Sequence, residues 1–193
     1  MNESSMEVEQ DMPFGTAVKR DLFSWLQALV FALIILIFCF TFLGRIISVD
    51  GSSMFPTLHD RDMLLLQCAG YQPKAGDVVV LNKPFDGITT PIVKRIVATG
   101  GQTVRIDYTE GVVYVDEVPL DEPYINERMR EPTYESLHYV EVPEGSVFVM
   151  GDNRNASSDS RDVDLGVVDE RYILGRALWV IFPFDNLGAV RHA

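Results

Sequence analysis

The longest apolar stretch of the chain is a run of 23 residues without a charge, residues 22–44, bounded by Asp21 and Arg45. As an α-helix rising about 1.5 Å per residue, this run would cover roughly 34 Å, which exceeds the roughly 30 Å of a bilayer's hydrocarbon core. The apolar core of a cleaved secretory signal is shorter, about 7–15 residues, and leads into a small-x-small site, which does not follow here. The pattern therefore predicts an uncleaved transmembrane anchor at residues 22–44. The tail before it, residues 1–21, begins with an acidic part that is expected to be disordered.

After the anchor, the hydrophobic pattern changes to short β-branched and aromatic runs bounded by Gly, Pro, Asp or Asn, which is typical of β-strands. Asp116 and Glu117 lie at the centre of a predicted hairpin, and sustained helical periodicity does not occur. Residues 45–193 are therefore predicted to form one domain, mainly antiparallel β and partly barrel-like. The predicted strands are residues 77–81, 92–98, 103–106, 112–115, 139–142, 146–150 and 177–182.

The charge balance excludes one class of partner. Residues 46–193 hold 13 of the 16 basic and 23 of the 28 acidic residues, a net charge of about −10. A nucleic-acid binder needs a basic face toward the phosphates, so no nucleic-acid partner is expected.

Lys19 and Arg20 before the apolar run, against Arg45 after it, favour a cytoplasmic N-terminus. Cys39 lies inside the run and Cys68 outside it, so no disulfide is expected.

Three segments carry candidate chemistry. Residues 51–58 place Ser53 in a Gly-Ser-Ser-Met turn directly after the anchor, residues 91–97 contain Lys94, and residues 151–161 are rich in Asp, Asn and Ser. In this order, the segments resemble the nucleophile motif, the lysine motif and the Gly-Asp box of type I (leader) signal peptidases. The resemblance implies a β catalytic domain of the kind that this family carries.

A serine hydroxyl needs a base to become a nucleophile, and the reaction needs donors for the oxyanion. In a strand, Lys94 would share a face with Ile92 and Ile96, and burial among apolar side chains lowers a lysine pKa from its usual value of about 10.4. Alternation alone leaves open a lysine at a sheet edge that reaches water. The resemblance implies Ser53 as nucleophile and Lys94 as general base. The histidines are expected to be ordinary surface or turn residues: His59, His138 and His192.

The resemblance also implies supporting roles within and beside the Gly-Asp box. Ser157 would hydrogen-bond the lysine amine, and two ion pairs would hold the loops, formed by Asp152 and Asp159 with Arg95 and Arg161. The Ser53 N–H is the expected first oxyanion donor. Some members carry a hydroxyl residue two positions before the nucleophile, where this chain has Gly51, so the second donor stays open between Ser52 and a backbone group near Gly51.

No metal and no cofactor are expected. The Asp/Asn-rich segment places Arg154 where a calcium loop would need an oxygen ligand, and the sequence has no Cys/His cluster. The side chains beside the nucleophile, Met54, Phe55 and Pro56, are predicted to form an apolar ledge against which an extended peptide adds as a strand. The Met54–Phe55 pair is also consistent with core packing or membrane contact.

The resemblance implies an endopeptidase that removes N-terminal signal peptides from translocated secretory preproteins after a small-x-small, Ala-x-Ala-like sequence. The expected partners are these preproteins, the lipid bilayer and the secretion translocon, with a single-pass location in the cell membrane and an extracytoplasmic catalytic domain. Two alternatives stay open. One is a self-cleaving Ser-Lys regulator, for which Cys68-Ala69-Gly70 offers an Ala-Gly bond; the other is an inactive, membrane-tethered binding module.

Overall fold

The computed structural model describes residues 14–38 and 44–193 and divides the chain into two units, residues 1–41 and 42–193. The disorder expected at the start of the tail and the position of Cys39 lie outside the described residues.

The described part of the first unit, residues 14–38, is one helix, α1, Phe14–Phe38. It begins before the predicted anchor because Lys19 and Arg20 are good helix formers, so the charges that bound the apolar run do not end the helix. Gly44, predicted as the last residue of the anchor, instead begins a β-strand. By length and composition, residues Lys19–Ile37 could cross a membrane, with a mean hydropathy of 1.8 and exposed side chains.

The second unit is built from twelve described strands in two sheets. All seven predicted strands are present, whereas β1, β2, β10 and β12 were not predicted. Three short 3-10 helices, Arg154–Ala156, Glu170–Tyr172 and Phe184–Asn186, lie in the connections. The strands are β1 Gly44–Ser48, β2 Met63–Gln67, β3 Val78–Leu81, β4 Ile92–Thr99, β5 Thr103–Asp107, β6 Val112–Val115, β7 Val118–Pro119, β8 Tyr139–Glu141, β9 Ser146–Met150, β10 Val168–Asp169, β11 Ile173–Phe182 and β12 Gly188–Ala189.

The larger sheet has the order β1-β2-β11-β3-β4-β9-β10, with β12 added to β11, and the smaller sheet has the order β7-β6-β5-β8. Every strand pair in both sheets is antiparallel. Register shifts interrupt the pairing of β11 with β2 and with β3, and such bulges bend and twist a strand. The prediction of a mainly antiparallel, partly barrel-like fold is confirmed by this curled sheet.

The predicted hairpin is formed by β6 and β7. Asp116 and Glu117 both have positive φ, 51° and 63°, as a two-residue turn that matches strand twist requires.

Two features of the larger sheet position the functional residues. β4 lies inside the sheet, between β3 and β9, and carries Lys94 at its centre. The loop between β1 and β2 carries Ser53, and it is closed at its base by two hydrogen bonds: Val49 N–H donates to the Asp62 carbonyl at 2.7 Å, and Arg61 N–H donates to the Val49 carbonyl at 2.9 Å. The loop is thereby held on the sheet that contains Lys94.

Candidate active site

The Ser53 loop is shaped by one glycine and two buried anchors. Gly51 has φ +86°, which favours glycine, and its N–H donates to Asp60 Oδ1 at 2.9 Å. Met54 and Leu58 are buried in the core cluster beneath β1 and β2, and the Leu58 N–H donates to the Met54 carbonyl at 2.9 Å. Ser53, between these fixed points, is partly exposed.

The burial of Met54 corrects part of the predicted peptide ledge. Its side chain is only 1% exposed, because the loop turns it into the core. Phe55, 38% exposed, and Pro56 remain on the surface. For Met54, core packing is therefore the correct interpretation.

Lys94 lies in the middle of β4, opposite Val79 of β3, and is 3% exposed. Because β4 is an interior strand, the alternative of an edge lysine that reaches water is excluded. Ile92 and Ile96 share its face of the strand, as predicted, and belong with Val79 to one apolar cluster. The Lys94 Nζ lies 2.8 Å from the Ser53 Oγ, so the structure brings these two predicted residues into hydrogen-bond contact.

Burial lowers the pKa of Lys94 to about 8. Desolvation is the dominant cause, because it disfavours the charged ammonium. The carboxylates of Asp159 and Asp152 raise the pKa, and the Arg161 guanidinium lowers it. About a tenth of Lys94 is therefore neutral at pH 7 and about half at pH 8, and a neutral amine at 2.8 Å can accept the proton of the Ser53 hydroxyl.

The Gly-Asp box contributes the two predicted ion pairs, and both are bidentate and buried. Arg95 donates from Nε and Nη2 to the two carboxylate oxygens of Asp152 at 2.8 and 2.7 Å. Arg161 donates in the same way to Asp159 at 2.8 and 2.9 Å. Burial alone raises the pKa of Asp159, but the charge and hydrogen bonds of Arg161 outweigh it, so the pKa is lowered. Asp159 thus stays ionised beside Lys94.

Ser157 occupies a different hydrogen bond from the predicted one. Its hydroxyl donates to Asp159 Oδ2 at 2.7 Å, and the hydrogen bonds among the described residues include none between Ser157 and Lys94. Asp159 Oδ2 also accepts from the Gly151 N–H at 2.9 Å. Ser157 therefore acts on Lys94 indirectly, because its hydroxyl supplies one of the hydrogen bonds that stabilise the charged Asp159 carboxylate.

The Gly-Asp box also holds the backbone of the Ser53 loop. The Asn153 N–H donates to the Ser53 carbonyl at 3.0 Å, and Asn153 Nδ2 donates to the Ser52 carbonyl at 3.1 Å. A Cβ on Gly151 would stand 2.5 Å from the Ser53 carbonyl oxygen, so the close approach of box and loop requires glycine. The sequence interpretation did not assign a role to Asn153, although its place in the Gly-Asp box could have indicated one.

Comparison with known proteins shows the family to which the chain belongs. The family model described as "Signal peptidase, peptidase S26" matches residues 22–182. The chain belongs to this family. It is similar to a signal peptidase I of Bacillus licheniformis, with 34% identity over 90% of this chain and 95% of the relative. It is also similar to signal peptidase I T of Bacillus subtilis strain 168, with 35% identity over 84% and 86% of the two chains. A crystal structure of a signal peptidase I from Enterococcus faecalis V583 matches with a TM-score of 0.45 and 28% identity, covering 55% of this chain and 97% of that one.

The candidate oxyanion donors lie around the Ser53 loop. The Ser53 N–H donates to no protein acceptor among the described residues. The Gly51 N–H is already bound to Asp60, which removes it from the candidates for a second donor. The exposed Ser52, through its N–H or its hydroxyl, remains.

The three histidines contact residues other than Ser53 and Lys94. The imidazole of His59 packs edge-on against Phe55, and that of His138 packs edge-on against Tyr108. His192 Nδ1 accepts from the Val78 N–H at 3.2 Å, and burial lowers its pKa. Among the described residues, none of the three hydrogen-bonds to Ser53. The same residues contain no group of three or more His, Cys, Asp or Glu that could hold a metal ion.

Proposed function

We propose that the chain is a membrane-anchored serine endopeptidase in which Ser53 is the nucleophile and Lys94 is the general base. The observation that carries this proposal is the 2.8 Å contact between Ser53 Oγ and a lysine amine that is 3% exposed. A buried lysine with a pKa of about 8 has the properties of a base, and a partly exposed serine is accessible to a substrate.

The reaction begins when neutral Lys94 accepts the proton of Ser53 Oγ as this oxygen attacks the carbonyl carbon of the scissile bond. The oxyanion that forms would accept a hydrogen bond from the Ser53 N–H. Lys94 then gives its proton to the leaving amine, and the C–N bond breaks to leave an acyl ester on Ser53. Water, deprotonated by Lys94, hydrolyses the ester and regenerates the hydroxyl. The proton that Lys94 gains in each half of the cycle is returned in the same half.

The proposed substrates are translocated secretory preproteins, from which the enzyme removes the N-terminal signal peptide after a small-x-small, Ala-x-Ala-like sequence. Support comes from the family match and from relatives named signal peptidase I. Phe55 and Pro56 are the surface-exposed apolar residues beside Ser53 against which such a peptide could lie. Met54 has no part in this surface, because it is buried.

We propose a single-pass location in the cell membrane, with residues 1–21 cytoplasmic, residues 22–43 as the anchor region and residues 44–193, which begin with β1, as the extracytoplasmic catalytic domain. The apolar helix and the basic residues Lys19 and Arg20 support this topology. The β domain adds an exposed apolar face. Ile46, Leu65 and Trp179 are paired across β1, β2 and β11, so they lie in one row on the same face. Large apolar side chains exposed in this region are Ile46, Trp179, Phe182, Phe184 and Leu187.

This face is large and aromatic, as surfaces that contact a bilayer often are. This apolar face supports the proposal that the catalytic domain lies on the lipid surface when it acts. A bilayer location would also place the enzyme beside the secretion translocon, which we propose as a partner.

The direct test is cleavage of a labelled preprotein by the purified full chain in detergent, with N-terminal sequencing of the product. Wild-type protein should release the mature chain at the small-x-small site, whereas Ser53→Ala should be inactive but folded. Ser158→Ala is the matched control, because Ser158 is an exposed serine of the Gly-Asp box and should leave the rate unchanged. Retained processing by Ser53→Ala would refute the nucleophile. Inactivity of the wild-type protein toward preproteins, with cleavage of its own Ala69–Gly70 bond, would favour the self-cleaving alternative.

A further inference from the structure

A short segment outside the three motifs packs against the ion pair beside the active site. Residues 121–126 follow β7 and leave the small sheet. The ring of Tyr124 lies over the guanidinium of Arg95, 4.0 Å from its Cζ to the ring centroid. The Tyr124 hydroxyl donates to Glu122 Oε1 at 3.0 Å, so the side chain is held by Arg95 at its ring face and by Glu122 at its hydroxyl.

The guanidinium plane of Arg95 is fixed by acceptors from several segments of the chain. Besides its two bonds to Asp152, its Nη1 donates to the Gly76 carbonyl at 2.8 Å and to the Arg191 carbonyl at 3.1 Å. These bonds lie around the edge of the guanidinium, and Tyr124 covers its flat face. Tyr124 also lines a cavity of about 310 Å³ beside Pro56 and Thr57, so the ring stands between this cavity and the buried ion pair.

The same segment reaches the nucleophile through one intermediate residue. The Asn126 N–H donates to the Asp152 carbonyl at 3.1 Å. Asn126 Nδ2 lies 3.4 Å from Asn153 Oδ1, and Asn153 in turn holds the carbonyls of Ser52 and Ser53. Residues 121–126 thus contact both the ion pair and the residue that fixes the nucleophile loop.

We infer that Tyr124 is a positioning residue of this active site, which clamps Arg95 onto Asp152 and keeps water of the neighbouring cavity away from the ion pair. The inference rests on the proposed function, since it concerns the reaction of Ser53 and Lys94. Tyr124 touches neither reacting atom; it acts through Arg95 and Asp152.

The clamp affects the protonation of Lys94. The charged groups that act on Lys94 are Asp159 and Arg161 of the Gly-Asp box and Asp152, whose charge Arg95 neutralises. When the Arg95–Asp152 pair loosens, the less neutralised carboxylate of Asp152 favours the ammonium. Water that enters from the cavity also solvates the ammonium. Both effects raise the pKa of Lys94. Burial raises the pKa of Tyr124 itself, so the phenol stays neutral over the working range.

The test is the pH dependence of kcat/KM for preprotein cleavage by the full chain, compared between wild type, Tyr124→Leu and Tyr124→Phe. Tyr124→Leu removes the aromatic face and should move the activity limb up by about half a pH unit, with a roughly threefold loss of rate at pH 7. KM should change by less than about twofold, since the clamp acts on the reacting groups rather than on substrate binding. Tyr124→Phe keeps the ring over Arg95, so its activity limb should stay close to that of wild type.

Tyr114→Leu is the matched control, because Tyr114 stacks on Arg105 at 3.8 Å in a partly exposed pair on the small sheet. This variant should keep the wild-type limb. Near-UV circular dichroism of each variant reports whether the fold is retained. A folded Tyr124→Leu with an unmoved limb would overturn the inference while wild type still cleaves and Ser53→Ala does not. Activity that survives in Ser53→Ala would instead refute the proposed function. If Tyr124→Leu does not fold, Tyr124→Met takes its place, because it also lacks an aromatic face but its flexible side chain fits irregular spaces; an unmoved limb in a folded Tyr124→Met would overturn the clamp.

Discussion

The main-chain N–H of Asn153 donates to the carbonyl oxygen of Ser53 at 3.0 Å, so the Gly-Asp box holds the backbone of Ser53 itself. This bond joins two segments that are a hundred residues apart in the sequence. Together with the Arg95–Asp152 pair, it fixes the positions of Ser53 and Lys94 relative to one another. The fold therefore brings three separate segments together around Ser53 and Lys94.

Ser157→Ala should reduce kcat about fivefold and leave KM nearly unchanged. The Ser157 hydroxyl donates to the buried Asp159, and such a bond contributes about 1 kcal/mol. Without it, the Asp159 carboxylate is less satisfied and favours the ammonium form of Lys94 more strongly. Steady-state kinetics on a preprotein would check this expectation, and kinetics equal to wild type would show that this hydrogen bond has no role in the reaction.

Replacement of Lys94 by arginine should be as damaging as replacement by alanine. A guanidinium stays protonated at every workable pH and cannot accept the Ser53 proton, whereas a purely structural cation would tolerate the exchange. Single-turnover cleavage by Lys94→Arg and Lys94→Ala, side by side, measures the difference. A Lys94→Arg enzyme with near wild-type turnover would exclude the dyad.

Lys94→Met should abolish cleavage and stabilise the fold. The pKa of Lys94 is about 8 in the folded chain and about 10.4 in an unfolded one, so the unfolded state binds more protons between these values. The amine therefore costs on the order of 3 kcal/mol below pH 8, and this cost fades as the pH rises to about 10.4. Denaturant unfolding of both proteins at several pH values tests the sign. An advantage of Lys94→Met that grows from pH 8 to pH 10 would contradict it.

Loss of Arg161 should destabilise the fold far more than loss of Arg171. Both arginines make bidentate pairs two residues away, Arg161 with Asp159 in the interior and Arg171 with Asp169 at the surface. Removing one partner of a buried pair costs roughly 3–5 kcal/mol, because the other charge stays buried. An exposed pair contributes little, so Arg171→Ala should unfold like wild type. Equal unfolding midpoints for the two variants would argue that the Arg161 pair does not hold the box.

Local patterns in the sequence predicted much of the fold and the chemical groups of the site. Strand alternation placed Lys94 on the face of Ile92 and Ile96, and two consecutive turn residues, Asp116 and Glu117, indicated the hairpin. These features depend on neighbours in the chain. β1 was missed because Gly44 reads as the end of the apolar run, and its strand conformation depends on pairing with β2.

The contacts between distant segments could not be predicted in the same way. Alternation does not say whether Met54 turns toward the core or the surface, since that depends on the sheet beneath the loop. It also does not say whether the Ser157 hydroxyl meets Lys94 or Asp159. Tyr124 carried no signal, because it lies in the segment after β7 while its partner Arg95 lies on β4, and only the folded chain brings the two together.

The most direct test of the Ser53–Lys94 assignment is the pH profile of kcat/KM, measured with a preprotein on wild type and on three histidine variants, His59→Ala, His138→Ala and His192→Ala. Lys94 must be neutral to act as a base, so activity should rise with pH through a single ionisation near the Lys94 pKa of about 8. Each histidine variant should keep this limb, since none of the three imidazoles hydrogen-bonds to Ser53 in the described part of the chain. A limb near the ordinary histidine value of about 6.5 that disappears in one of these variants would contradict the account and identify that histidine as the base.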